Sequence, residues 1–93
     1  MFHNYQTREE IQKIIINALV ALDRPSLETE VASWAWHRMA IDGIRSGVFK
    51  TISFEMRIMR ADQVLRLQTI RDTGVGAFYV IHDPLSAMAF VAD

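Results

Sequence analysis

The stretch from Val48 to Met59, VFKTISFEMRIM, decides the predicted fold of this 93-residue chain. Apolar residues at positions 48, 52, 54, 56 and 58 alternate with polar residues at 51, 53, 55 and 57. A repeat of two is typical of a β-strand with one buried face. The same pattern places Glu55 and Arg57 together on the opposite, polar face. We therefore predict a strand over residues 48–59.

The sequence that follows predicts a helix and a second strand. Residues 61–73 carry a polar stripe at helical spacing and are followed by Gly74, which favours a helix that ends there. Residues 77–81, AFYVI, form a near-continuous run of strand-forming residues, typical of a strand covered on both faces. A strand, a helix and a strand of these lengths predict a right-handed parallel crossover. Residues 85–91 predict a short closing helix.

Two helices are predicted before this unit. Thr7 and Glu10 have the spacing of a capping box, and the helix they begin ends before Pro25. Ser26 is the predicted N-cap of the second helix. The end of that helix stays open: it either continues to Gly47, or it ends near Arg38 and is followed by a short strand over residues 40–44.

Composition places the chain among globular proteins of one domain, residues 1–93. Hydrophobic residues make up 51% and charged residues 23% of the sequence. The absence of cysteine excludes disulfides and thiolate zinc sites. No apolar run approaches the roughly 20 residues of a membrane span, and the first residues lack the pattern of a signal peptide. We expect a cytoplasmic α+β or α/β domain in which N-terminal helices pack on a small mixed sheet.

Charge is balanced overall but unevenly distributed. Ten Lys and Arg residues stand against eleven Asp and Glu residues, for a formal charge of −1. Acidic residues concentrate in the first third of the chain, while the middle carries a series of arginines, Arg57, Arg60, Arg66 and Arg71. Arg60, Arg66 and Arg71 are predicted to contact nucleic-acid phosphates, since backbone contacts need only a local basic patch. Ion pairs with neighbouring aspartates are the alternative interpretation.

A candidate metal site follows from the predicted strand. Asp42 precedes Glu55 by thirteen positions, and both carboxylates are oxygen ligands of the kind that Mg²⁺ and Mn²⁺ prefer. The guanidinium of Arg57 beside them would stabilise charge on a phosphate undergoing cleavage. The structural alternatives are a turn at Asp42 before Gly43 and a solvated strand face at Glu55 and Arg57.

Part of the chain resembles the PD-(D/E)XK nucleases, in particular the virus-type replication–repair nucleases and Holliday-junction resolvases. The resemblance covers roughly residues 52–91 and is carried by Phe54-Glu55-Met56-Arg57, Gln63, Leu67, Ile70, Gly74, Ala77-Phe78, Val80-Ile81 and Ala87. It implies metal-binding roles for Asp42 and Glu55 and catalytic roles for Arg57 and Gln63. Arg57 stands where the family has lysine, and Ile41 stands where the family has proline.

The function expected from these features is that of a DNA endonuclease that uses Mg²⁺ or Mn²⁺ to cleave phosphodiester bonds, with branched DNA as a candidate substrate and a homodimer as a candidate assembly. The alternative is a non-catalytic regulatory protein of the phage or mobile-element type, which would bind DNA or another protein on a degenerate nuclease-like fold. Such a protein would need no metal.

Overall fold

The computed structural model describes residues 7–38, 45–68 and 78–91, which form a small α+β fold. Within these three ranges, four helices and a two-stranded antiparallel sheet share one hydrophobic core, to which each of these elements contributes. In chain order the elements are α1 (Arg8–Leu22), α2 (Glu28–Arg38), α3 (Arg45–Ala61), β1 (Leu65–Gln68), β2 (Phe78–Ile81) and α4 (Pro84–Val91). Among the described residues, no helix has the length and apolar character needed to cross a bilayer.

The predicted first helix is confirmed, including its start. The hydroxyl oxygen of Thr7 accepts a hydrogen bond from the backbone N–H of Glu10 at 3.2 Å, as a capping residue does. The helix ends at Asp23, which adopts a left-handed conformation (φ 52°) and donates its N–H to the carbonyl of Leu19. Pro25 then prevents the helix from continuing.

The second helix begins at Glu28, one residue later than a Ser26 N-cap predicts, and Ser26 is not its N-cap. Ser26 is fully buried and forms an isolated antiparallel bridge with Tyr79 of β2. The side chain of Glu30 instead satisfies the N–H of Leu27, so that the carboxylate reaches back to cap the start of α2. Residues 39–44, which include the candidate short strand and Asp42, lie outside the described residues.

The prediction of a strand over residues 48–59 is wrong, because this segment belongs to helix α3. Its buried apolar residues, Val48, Ile52, Met56 and Met59, follow each other at intervals of four, four and three. This spacing places them on one face of a helix. The apparent alternation depended on Phe54 and Ile58, and Phe54 is 56% exposed.

The helix predicted over residues 61–73 is also wrong where the structure describes it, since Leu65–Gln68 is strand β1. Helix α3 ends in the turn that precedes this strand, where Gln63 adopts a left-handed conformation (φ 63°). The N–H groups of Gln63 and Val64 bond to the carbonyls of Arg60 and Met59, the pattern of a Schellman motif. Residues 69–77, with Arg71, lie outside the described residues.

The second predicted strand is confirmed as β2, but the parallel crossover is wrong. Leu65 pairs with Ile81 and Gln68 pairs with Phe78, so that β1 and β2 run antiparallel. Nine residues separate the two strands, fewer than the dozen or more that a parallel connection needs. Residues 48–59, predicted as the first strand of the crossover, belong to helix α3.

The predicted closing helix is confirmed as α4, which packs against α1. Pro84 occupies its first position, where the missing N–H of proline costs nothing. The carboxylate of Asp83 accepts hydrogen bonds from the N–H of Leu85 at 3.1 Å and from the hydroxyl of Ser86 at 2.7 Å. Ala87 carries the contact of this helix with the core.

Candidate nucleic-acid interface

Glu55, the predicted metal ligand, faces the protein interior. Its side chain is 6% exposed and lies beneath α1. The amide Nε2 of Gln12 donates a hydrogen bond to Glu55 Oε1 at 3.2 Å, and Nε of Arg8 approaches the same oxygen at 3.2 Å. Buried polar groups require such partners. Here the two interactions join the start of α1 to the middle of α3.

Arg57 does not share a face with Glu55. Two residues apart on an α-helix, the side chains point about 200° apart, whereas on the predicted strand they would point the same way. Arg57 is exposed and forms a two-point ion pair with Glu28 of α2. Its Nε donates to Glu28 Oε2 at 3.2 Å and its Nη2 donates to Oε1 at 3.3 Å. The predicted acid-x-base pair is therefore divided between the two sides of α3.

Within the described residues, Glu55 Oε1, a predicted ligand of Mg²⁺ or Mn²⁺, already has two partners. A metal ion at Glu55 would compete for the oxygen that already faces the cationic Arg8 and the N–H group of Gln12. No group of three histidine, aspartate or glutamate side chains within residues 7–38, 45–68 and 78–91 is arranged to hold a metal. Asp42 lies outside these residues, so its convergence with Glu55 stays a prediction.

Glu28 is the centre of a polar network between α2, α3 and β2. In addition to the two bonds from Arg57, its Oε2 accepts a hydrogen bond from the Tyr79 hydroxyl at 2.7 Å. Burial alone would raise the pKa of Glu28, but hydrogen bonds from Tyr79, Arg57 and Ser53 outweigh it and lower the pKa below its usual value. Burial, followed by the bond to Glu28, raises the pKa of Tyr79 to about 12.

This network predicts a pH-dependent contribution to stability. Because its pKa is lowered in the folded state, Glu28 stabilises the fold above the unfolded-state pKa of about 4.3, and this contribution is lost as the pH falls through the folded-state value. We expect the difference in unfolding free energy between wild type and Glu28→Gln, measured with urea, to be largest near pH 7 and to shrink towards pH 3. Tyr79→Phe, which removes one donor to the carboxylate, should reduce that pH dependence. If wild type and Glu28→Gln differed in unfolding free energy by the same amount at pH 7 and pH 3, the lowered pKa assigned to Glu28 would be contradicted.

Two adjoining grooves lie beside the network, and Arg60 and Arg66 are among the residues that line them. One has a volume of about 490 Å³ and lies between the start of α2, the second half of α3 and the sheet. The other, of about 390 Å³, is lined by Arg60, Gln63, Arg66 and His82 among others. Arg60 and Leu67 line both grooves, which therefore adjoin each other. Within the described residues, neither Arg60 nor Arg66 has a carboxylate within ion-pair distance.

The outer face of α3 extends this basic surface. Its exposed residues recur at helical spacing, and we call the following set the α3 outer face: Ser46, Lys50, Phe54, Arg57, Arg60 and Ala61. Lys50 also has no ion-pair partner within the described residues. Sequence reasoning missed Lys50 and Phe54 because the assumed strand placed Phe54 in the core. Their spacing of four was the signal that could have found them.

The structure therefore brings together some of the predicted site residues and not others. Arg57, Arg60, Arg66 and Gln63 border the two grooves. Gln63 is exposed there and its backbone ends helix α3, so that its predicted catalytic role has no support from its position. Comparison with protein-family models, curated proteins and solved structures found no match. The resemblance to PD-(D/E)XK nucleases thus stays a prediction, and the functional argument depends on the geometry of this chain.

Proposed function

We propose that this chain is a non-catalytic DNA-binding protein in which α3 enters the major groove and Arg60 and Arg66 contact the phosphate backbone. The observation that carries the proposal is the charge of α3. The helix contains four basic residues, Arg45, Lys50, Arg57 and Arg60, and one acidic residue, Glu55. Glu55 is buried against α1, so that the α3 outer face is basic and carries no carboxylate.

The dimensions of α3 suit this role. Its 17 residues give a length of roughly 26 Å, and a helix with side chains is about 10–12 Å wide, close to the width of the major groove. The overall acidity of the chain does not oppose binding, because phosphate contacts depend on local charge. Glu28, which is in contact with this surface, is neutralised by Arg57.

The order of the elements supports the same function by analogy at the level of fold. In helix-turn-helix proteins two consecutive helices pack together, and the second lies in the major groove while the first crosses the backbone. Here α2 and α3 are consecutive and packed against each other, and an antiparallel hairpin follows α3 in chain order, as a wing does. Arg66, exposed on β1, places a basic side chain on that hairpin.

Titration of a fluorescent duplex of random sequence tests the proposal. We expect a Kd of about 10⁻⁴ to 10⁻⁶ M near physiological salt, tightening steeply as the salt concentration falls. Lys50→Ala, Arg60→Ala and Arg66→Ala should each weaken binding and lower the slope of log K against log salt by about 1. Arg24→Ala is the matched control, since this arginine is paired with Glu30 in the connection between α1 and α2.

Two results would contradict the proposal. Absence of binding at low salt, or an equal loss in the Arg24→Ala control, would exclude the α3 outer face as a DNA interface. Cleavage of branched or linear DNA in the presence of Mg²⁺ or Mn²⁺, lost in the Glu55→Gln variant, would instead establish the endonuclease predicted from the sequence.

A further inference from the structure

Phe54 is an unusual residue on a basic surface. Its aromatic side chain is 56% exposed in the middle of the α3 outer face. Lys50 precedes it by one helical turn and Arg57 follows it by one turn, so that cationic side chains flank the ring on both sides. The other large exposed apolar residues of the described chain, Val20, Leu85 and Met88, lie on α1 and α4.

We infer that Phe54 recognises thymine through the methyl group that this base presents in the major groove. The inference rests on the proposed function and identifies Phe54 as a residue that determines which DNA sequence is bound. The thymine C5-methyl is the apolar feature of the major-groove edge, and phenylalanine is among the side chains that contact it. Contact would remove part of the exposed ring and the methyl group from water, which favours the complex.

The charges around Phe54 select this partner over a second copy of the chain. Two α3 outer faces in contact would place unpaired lysine and arginine side chains against each other, whereas a duplex supplies phosphates on both sides of the groove. Lys50 and Arg60 are ten residues apart, or roughly 15 Å along the helix axis, with Phe54 between them. The cations that precede and follow the ring along α3 can reach phosphates on the walls of the groove, while the ring faces the base edges on its floor.

Substitution of deoxyuridine for thymidine tests the inference, since it removes the methyl group and leaves base pairing unchanged. The highest-affinity duplex would be selected from a random pool with the wild-type protein, and each thymine would be replaced in turn. At one or more positions we expect the substitution to weaken binding about fourfold, the effect of one buried methyl group. The Phe54→Ala variant should bind the thymine and deoxyuridine duplexes equally.

A matched control distinguishes the loss of a Phe54–thymine contact from a general effect of removing an exposed apolar side chain. Leu85→Ala removes a comparable exposed side chain from α4 and should keep the full preference for thymine. Phe54→Ala should retain the wild-type melting temperature, because the ring contributes little to the core.

The possible failures are distinguishable. Binding of DNA with no effect of deoxyuridine at any position would overturn the inference and leave the proposed function intact. Absence of DNA binding by the wild-type protein would overturn both. Dissociation of a homodimer by Phe54→Ala, seen by sedimentation in the absence of DNA, would assign the ring to contact between copies and overturn the inference.

Discussion

Replacement of Ile52 by alanine is expected to lower the free energy of unfolding by about 2–5 kcal/mol, whereas replacement of Phe54 should change it by less than about 0.5 kcal/mol. Ile52 is fully buried on the inner face of α3, and its truncation leaves a cavity in the core. Phe54 lies two residues further, on the outer face, and belongs neither to the core nor to the partly buried residues packed against it. On a strand with a repeat of two, both residues would occupy the same buried face and both substitutions would be costly.

Urea unfolding of the two variants, followed by circular dichroism, measures this difference. If Ile52→Ala is too unstable to purify, Ile52→Val should still show a loss of about 0.5–1.5 kcal/mol. A large loss in Phe54→Ala, comparable to that in Ile52→Ala, would contradict the helical assignment of this segment. It would also remove the basis for placing Phe54 on an exposed interface.

The second large effect is expected at Glu55. Glu55→Ala removes the acceptor of the buried Gln12 amide, and an unsatisfied buried group of this kind costs about 1–3 kcal/mol. Glu55→Gln keeps an oxygen that can accept from Gln12 and should cost less. Arg8→Ala should cost at most about 1 kcal/mol, because the Arg8 side chain is mostly exposed and its ion pair is screened by water.

These three variants distinguish a structural role for Glu55 from the metal-binding role predicted from the sequence. A structural role requires that Glu55→Ala lower the free energy of unfolding more than Glu55→Gln or Arg8→Ala does, as measured by urea unfolding without added metal. A catalytic carboxylate that contributes nothing to packing would leave the unfolding free energy of Glu55→Ala equal to that of the wild type. That result would contradict the contact between Gln12 and Glu55.

The elements that the sequence predicts well are those whose ends carry local signals. Thr7 and Pro25 delimit α1, Pro84 begins α4, and the run of strand-forming residues at 77–81 identifies β2. Helix α3 was missed because apolar residues at 54 and 58 complete a repeat of two, although the core residues follow a helical repeat. Strand β1 was missed because its four residues were included in a longer helical pattern, and its pairing with β2 is a tertiary contact.

Only part of the candidate site was predictable from the sequence. The positive charge of Arg60 and Arg66 follows from residue type alone, so their prediction as a basic patch did not require the correct secondary structure. The placement of Glu55 and Arg57 on one face depended on the strand and is wrong, since helix α3 directs the two side chains to different sides. Lys50 and Phe54 could be placed on the interface only once α3 was known to be a helix with one buried face.

The bridge between Ser26 and Tyr79 has a consequence for the way the molecule opens. The two residues exchange backbone hydrogen bonds of 3.0 and 2.7 Å, and both are buried. They are separated by 53 positions in the chain, and their bridge joins the α1–α2 connection to the edge of the sheet. Their bonded amide protons therefore reach solvent only when this connection separates from the sheet. In hydrogen–deuterium exchange these two amides should be among the slowest outside the helices, and their rates should report the opening of the whole fold.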